Sequence, residues 1–200
     1  MNSNVVLYVS LGLLSVAFFF QAVKPRLLRG DDSGVRTKNV SRGFRALFFL
    51  EVLFVLGWYA YLIAGQYFAW KAAGPPLSYL VPPYQSIFYV VGYYFARFGM
   101  YYAFSLAVAL FFLIAAVAYN RSFGGRFFEP EEPYLGALAL FLLGNPEWHY
   151  LWIYYLGSVF AAALLGLIAT GIAGKENARF PLYYLWMPLA IAGILVMQLL

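Results

Sequence analysis

The stretch Leu106–Ala118 reads LAVALFFLIAAVA, with no charge, polar group or turn former inside it. Strands of a membrane barrel alternate apolar and polar residues over about ten positions. This run is apolar throughout, and so is Leu189–Met197, LAIAGILVM. Helices and closed barrels are the only structures that span a bilayer, so the run reads as helix. Extended outward it fills Phe98–Tyr119, close to the roughly 20 residues that a bilayer core requires.

The whole chain has the same character. Its 200 residues are 64% hydrophobic and 22% aromatic, and only 10% are charged, against about 25% charged in a soluble domain. So few charges cannot solvate a water-facing surface. The expected fold is an all-α integral membrane protein, one polytopic domain over residues 1–200. Six segments are predicted, at 5–23, 46–70, 98–119, 134–144, 148–174 and 180–200, the fourth of them short. Gly92, Arg97 and Gly99 interrupt the long apolar stretch after Ser86, which predicts an interfacial helix over Ser86–Ala96 ahead of the third segment. Segment 5–23 has neither a positive leading region nor a small-residue cleavage site, so it reads as retained. Pro181 suits the first turn of the last segment, and Pro188 predicts a kink in it.

Charge gives the orientation. Lys24, Arg26, Arg29, Arg36, Lys38, Arg42 and Arg45 follow the first segment, Arg121 and Arg126 the third, and Lys175 and Arg179 the fifth. Placing those three connections in the cytoplasm puts eleven of the thirteen basic residues there, as cytoplasmic loops favour. Both termini then lie on the non-cytoplasmic side of the cell membrane. The net charge of +5 thus reads as membrane-surface charge, with the lipid bilayer as partner and no nucleic acid. The chain has no cysteine, which excludes disulfides, thiolate catalysis and zinc–thiolate or iron–sulfur ligation. A single histidine, His149, excludes bis-histidine haem within the chain. No cofactor or metal is expected.

Few residues can carry chemistry. Asp31 and Asp32 lie among basic residues and read as solvated charge balance. Glu51 falls inside the second segment, where an acid is costly and a functional candidate; the alternative is a carboxylate paired with Arg45 or another basic group near the headgroups. Arg97 among Tyr93, Tyr94, Tyr101 and Tyr102 reads as an interfacial arginine over tyrosine faces. His149 and the many tyrosines and tryptophans at segment ends, including Trp58, Tyr59, Trp148, Tyr183 and Trp186, read as aromatic belts. The fifth segment carries Gly157, Ala161, Gly166, Ala169 and Gly174, a spacing that permits close helix approach.

The densest local cluster is Glu129–Pro130–Glu131–Glu132–Pro133, ahead of the short fourth segment. Proline and carboxylates both suit a helix start. Neighbouring carboxylates can also share a proton, as hydrolytic acid pairs do. From this cluster onward the chain resembles the membrane aspartyl peptidases that process type IV prepilins. Glu129–Pro130–Glu131–Glu132 stands where that family has Gly-x-Gly-Asp. Tyr134-Leu-Gly-Ala-Leu-Ala-Leu-Phe-Leu-Leu-Gly144 follows at matching length. Gly157–Gly174 resembles the small-residue span, and Arg179-Phe-Pro-Leu-Tyr-Tyr184 the opening of the last one. The resemblance covers about 75 residues of the C-terminal third.

It implies a helical membrane peptidase with pilin-like substrates and Glu132 as a catalytic carboxylate, partnered by Glu131 or Glu51. Glutamates replace the motif glycines and aspartate, and no acid lies between Lys71 and Val81–Pro82–Pro83, the nearest counterpart of the family's other catalytic turn. These departures predict a peptidase-like arrangement with weak or no prepilin cleavage. The alternatives are a non-enzymatic membrane subunit or scaffold for partner proteins, and a transporter or channel using Glu51 and Arg97.

The charge pattern sets a test of topology. Cysteines introduced as Ser33→Cys and Gly74→Cys should react with an impermeant thiol reagent from opposite sides of the membrane. Labelling of both from one side overturns the six-segment arrangement.

Overall fold

A helix that buries one face hides a residue every three or four positions. The computed structural model describes residues 4–27, 33–122, 124, 128–172 and 182–199, and it repeats this pattern in element after element. Helix α1 (Asn4–Leu27) buries Ser10, Leu14, Ala17 and Gln21. Helix α2 (Ser33–Ala72) buries Phe44, Phe48, Glu51 and Val55. Helix α4 (Met100–Ser122) buries Tyr102, Ser105, Ala109, Leu113 and Ala116. Among the described residues all regular structure is helical, in agreement with the sequence reading.

The opposite faces of these helices are apolar too, but uncovered. Leu53, Leu56, Phe111 and Ile114 are all more than half exposed. Two helical stretches, Val40–Ala72 and Ile87–Ser122, are long and apolar enough to cross a membrane, and only 17% and 28% of their most apolar windows are buried. A core helix of a water-soluble domain would be mostly covered. Shorter apolar helices lie at Tyr8–Val23, Glu132–Leu142, Leu151–Gly166 and Trp186–Leu199.

At the centre is α5 (Glu132–Leu142), buried at every position except Tyr134. It packs against α4, α2 and α7 (Trp186–Leu199), and more lightly against α1 and α6 (Leu151–Ile172). Its composition allows this. A Cβ on Gly136 would stand 2.6 Å from the Phe112 ring and 3.0 Å from Trp186, and a Cβ on Gly144, just past the helix, would strike Ser105. The Ser105 hydroxyl fills that gap by donating to the carbonyls of Leu140 (2.7 Å) and Phe141 (3.0 Å). A smaller second core, formed by Trp70, Val81 and Val90, joins the far end of α2 to α3 (Ile87–Tyr94).

Several sequence expectations change. No break separates an interfacial helix from the third segment: α3 runs into α4 through a π-helical turn at Phe95–Gly99. That turn absorbs Arg97 and Gly99 without ending the helix, and the missing Cβ of Gly99 leaves room for the rings of Phe95 and Tyr59. The basic connection after the first segment is largely helical, because α1 extends to Leu27 and α2 begins at Ser33. Pro188 does not kink the last helix. Helix α7 begins only at Trp186, so Pro188 sits in its first turn, where a missing N–H costs nothing. Gly157 of α6 faces open space, and close approaches occur at Gly99, Gly136 and Gly144. The readings on Arg29, Asp31, Asp32, Gly125, Arg126, Gly174, Lys175, Arg179, Phe180 and Pro181 lie outside the described residues. Gly74 has φ +70, where a side chain is strained, so the exposed neighbour Ala73 is the better position for the labelling cysteine.

Overpacking at the central helix should be measurable. Gly136→Ala should destabilise the detergent-solubilised protein by about 1–3 kcal/mol. Gly157→Ala, with nothing within 4 Å, should leave it unchanged or slightly more stable. Equal melting temperatures for the two variants would contradict this packing.

Candidate functional site

The acidic cluster opens α5 as its residue types dictate. Glu131 is the N-cap, Glu132 the first helical residue and Pro133 the second. The approach is pinned from two neighbours. The Asn120 side chain donates to the Phe128 carbonyl (2.9 Å) and accepts from the Phe128 amide (3.2 Å). The Ser41 hydroxyl of α2 donates to the Pro130 carbonyl (3.2 Å).

Glu131 is fully buried and Glu132 is 4% exposed. Both oxygens of Glu132 are engaged. Oε1 accepts from the indole Nε1 of Trp186 at 2.9 Å, and Oε2 accepts from the Glu129 amide at 3.1 Å. The Trp186 carbonyl in turn accepts from the Tyr155 hydroxyl of α6 at 3.0 Å. Tyr183 lies near enough to Glu129, Glu131 and Glu132 to feel their charge. Glu132 stands ahead of the apolar segment that begins at Tyr134. Burial pushes its carboxyl above the ordinary carboxylate range; the bonds from Trp186 and Glu129 oppose that rise, and the neighbouring carboxylates of Glu129 and Glu131 add to it.

A peptidase dyad needs two carboxylates holding one water. Glu131 and Glu132 are brought together only as neighbours on one helix start. Glu51 is elsewhere. It lies one turn beyond Phe48, whose ring meets Phe141 in the last turn of α5 at 6.4 Å. Tyr102 feels the charge of Glu51, and its ring packs on Phe141 at 5.7 Å. Glu51 and Glu132 therefore sit toward opposite ends of α5, a span of about 13 Å at 1.5 Å per residue.

The alternative reading of Glu51 also changes. Arg45 does not pair with it; the guanidinium lies over the Tyr134 ring, 5.1 Å from the centroid. Glu51 is 5% exposed, and its Oε1 has no hydrogen-bond partner among the described residues. Its place on the buried stripe of α2 turns it into the bundle.

Arg97 is exposed and donates to the Tyr93 hydroxyl at 3.2 Å. Tyr102, read with it in the sequence, faces the other way and is buried. His149 is exposed, with φ 40, and ends the turn Pro146–Trp148. No group of three or more His, Asp or Glu side chains placed to hold a metal occurs among the described residues. Trp186, Trp148 and Tyr183, assigned to belts, are buried. The donor to Glu132 was therefore missed; the local signal for it was a tryptophan two residues before Pro188, in the first turn of a helix.

No family model matches the chain, and no curated protein or solved structure matches it.

The engaged carboxylate makes Trp186 a structural anchor. Trp186→Phe keeps an aromatic ring but loses the indole N–H and part of the ring volume, leaving a buried acceptor short of one donor. It should cost about 1–3 kcal/mol, read as a lower melting temperature in detergent. Glu132→Gln in the same background should then cost little more, since its main partner has gone. Full additivity of the two changes would show that the bond carries no coupling.

Proposed function

We propose that the chain is a multi-pass protein of the cell membrane with a peptidase-like arrangement of helices that does not cleave prepilins, and that it acts as a non-enzymatic membrane subunit. The observation that carries this reading is the state of Glu132. A carboxylate already accepting from Trp186 and from the Glu129 amide has little freedom to hold and activate water. If the second acid is Glu51, it lies toward the other end of α5, about 13 Å along the helix axis, and if it is Glu131, it is a helix N-cap. A misplacement of even about an ångström can cost a hundredfold in rate.

The exposed apolar faces of α2 and α4 suit lipid, and the charge of the connections is what favours six segments with both termini non-cytoplasmic and the basic start of α2 in the cytoplasm. The short α5 fits this arrangement because protein surrounds it. Irregular backbone at membrane depth is tolerated where protein covers it, and Asn145 and Trp148 in the turn after α5 are both buried. The same exposed faces, rich in Phe and Tyr, suit contact with lipid or with the helices of partner proteins.

Cleavage is directly testable. Co-expressed with prepilins in a peptidase-deficient cell, the protein should leave the leader peptides attached. Efficient leader removal that disappears in Glu132→Gln would overturn the proposal and make Glu132 catalytic.

A further inference from the structure

Helix α2 carries two positive charges that no acid beside them balances. Arg42 and Arg45 are both exposed and stand three positions apart, which makes them neighbours on the helix surface. Like charges that close repel. The one acid on α2, Glu51, lies on the buried stripe with Phe44, Phe48 and Val55, which faces the other way. Arg45 is held above the Tyr134 ring of α5, 5.1 Å from its centroid. Among the described residues neither guanidinium has a carboxylate partner. The Ser41 hydroxyl on the Pro130 carbonyl fixes this part of α2 beside the approach to α5, so the pair sits on an anchored helix.

The same face continues as bare hydrocarbon. From Arg42, positions i+4, i+7, i+11 and i+14 are Ala46, Phe49, Leu53 and Leu56, the spacing of one helix face. All four are exposed, Phe49 by 49%, Leu53 by 63% and Leu56 by 57%. A Cβ on the adjoining Gly57 would meet nothing within 4 Å. Ala46 to Leu56 spans about 15 Å at 1.5 Å per residue, the depth of one leaflet of a hydrocarbon core about 30 Å thick. A soluble anion would use the arginines and leave this strip bare. An apolar helix would use the strip and leave the arginines unbalanced. A molecule with a phosphate at one end and an acyl chain at the other uses both. Arginine suits the phosphate, because its planar fork donates to two oxygens at once.

We propose that Arg42, Arg45 and the strip Phe49, Leu53 and Leu56 form a binding site for an anionic phospholipid, its phosphate held by the two guanidiniums and an acyl chain laid along the strip. The Tyr134 ring is a positioning group for Arg45. The site rests on the reading of α2 as a membrane-spanning helix. It does not rest on the peptidase-like arrangement, because it shares no residue with the Glu129–Glu132 cluster.

The test places the full chain in nanodiscs of phosphatidylcholine mixed with phosphatidylglycerol, and native mass spectrometry identifies the lipids it keeps on release. Phosphatidylglycerol should exceed its share of the disc by about tenfold, and Arg42→Gln and Arg45→Gln should each cut that excess about fivefold. Should Arg45→Gln fail to fold, Arg42→Gln decides. Arg97→Gln, at an exposed arginine outside the site, should leave the excess unchanged; an equal loss there would reduce the effect to net charge and overturn the proposal. Glycerophosphoglycerol, the headgroup without acyl chains, should not displace the lipid; displacement at matching concentration would show a soluble-anion site and overturn the lipid assignment. Release as a lipid-free dimer would give the face to a second copy of the chain and overturn it too. Retention of both lipids in their bulk ratio overturns the site and leaves the membrane reading standing. A chain that stays in solution without detergent and does not enter discs overturns that reading and the site with it.

Discussion

The backbone groups at the two ends of α5 cannot be left bare inside an apolar bundle, because each unpaired one is costly. Around those ends the structure supplies partners from the flanking turns and from α4. At the start, the Glu132 amide donates to the Glu129 carbonyl, Pro133 has no amide, and the amides of Tyr134 and Leu135 both donate to the Glu131 carbonyl. At the finish, the Leu143 and Gly144 amides return to Ala139 and Phe141, and Ser105 reaches in from α4 to the Leu140 and Phe141 carbonyls. The position of α4 is thus set by the end of α5, and that of α7, through Trp186 and Glu132, by its beginning. Glycine at 136 and 144 is what lets the neighbours come this close.

The helical class was readable from Leu106–Ala118 alone, because an unbroken apolar run has no amphipathic strand solution. The helix start at Glu132 was readable too, from proline and carboxylate at adjacent positions. What stayed hidden was direction. In an ordinary soluble helix the buried face is the apolar face, but here both faces are apolar. Phe48, buried, and Leu50, 63% exposed, look alike in the sequence. The same ambiguity hid the tryptophans: Trp58 and Trp186 both read as belt residues, yet only Trp186 is buried.

The acids illustrate a second limit. Sequence spacing places Glu51 on a helix but says nothing about what faces it across the bundle. Arg45 stands six positions earlier, which is not a neighbouring position on a helix surface, and its own face brings it to Tyr134. Tyr59 and Tyr102 are 43 residues apart, and only the packing of α2 and α4 on α5 makes their rings neighbours. Gly92, Arg97 and Gly99 misled for a related reason. Residues that destabilise a regular helix can be absorbed in a single wide turn when the chain on both sides is packed, as α3 is against α2 and α4 is against α5.

The length of that α2–α3 pairing bears on how the protein sits in lipid. The apolar helix Val40–Ala72 has 33 residues and is about 50 Å long at 1.5 Å per residue. A bilayer's hydrocarbon core is about 30 Å thick, and helices rarely lean more than about 40°, so tilting cannot hide the whole rod. In a bilayer, one end of the rod or both must therefore stand clear of the acyl chains. The start carries Arg42 and Arg45, and the far end carries the rings of Tyr67, Trp70, Tyr89 and Tyr93. Both kinds of side chain suit the headgroup layer. The surplus length thus falls where the chain bears the groups that tolerate water.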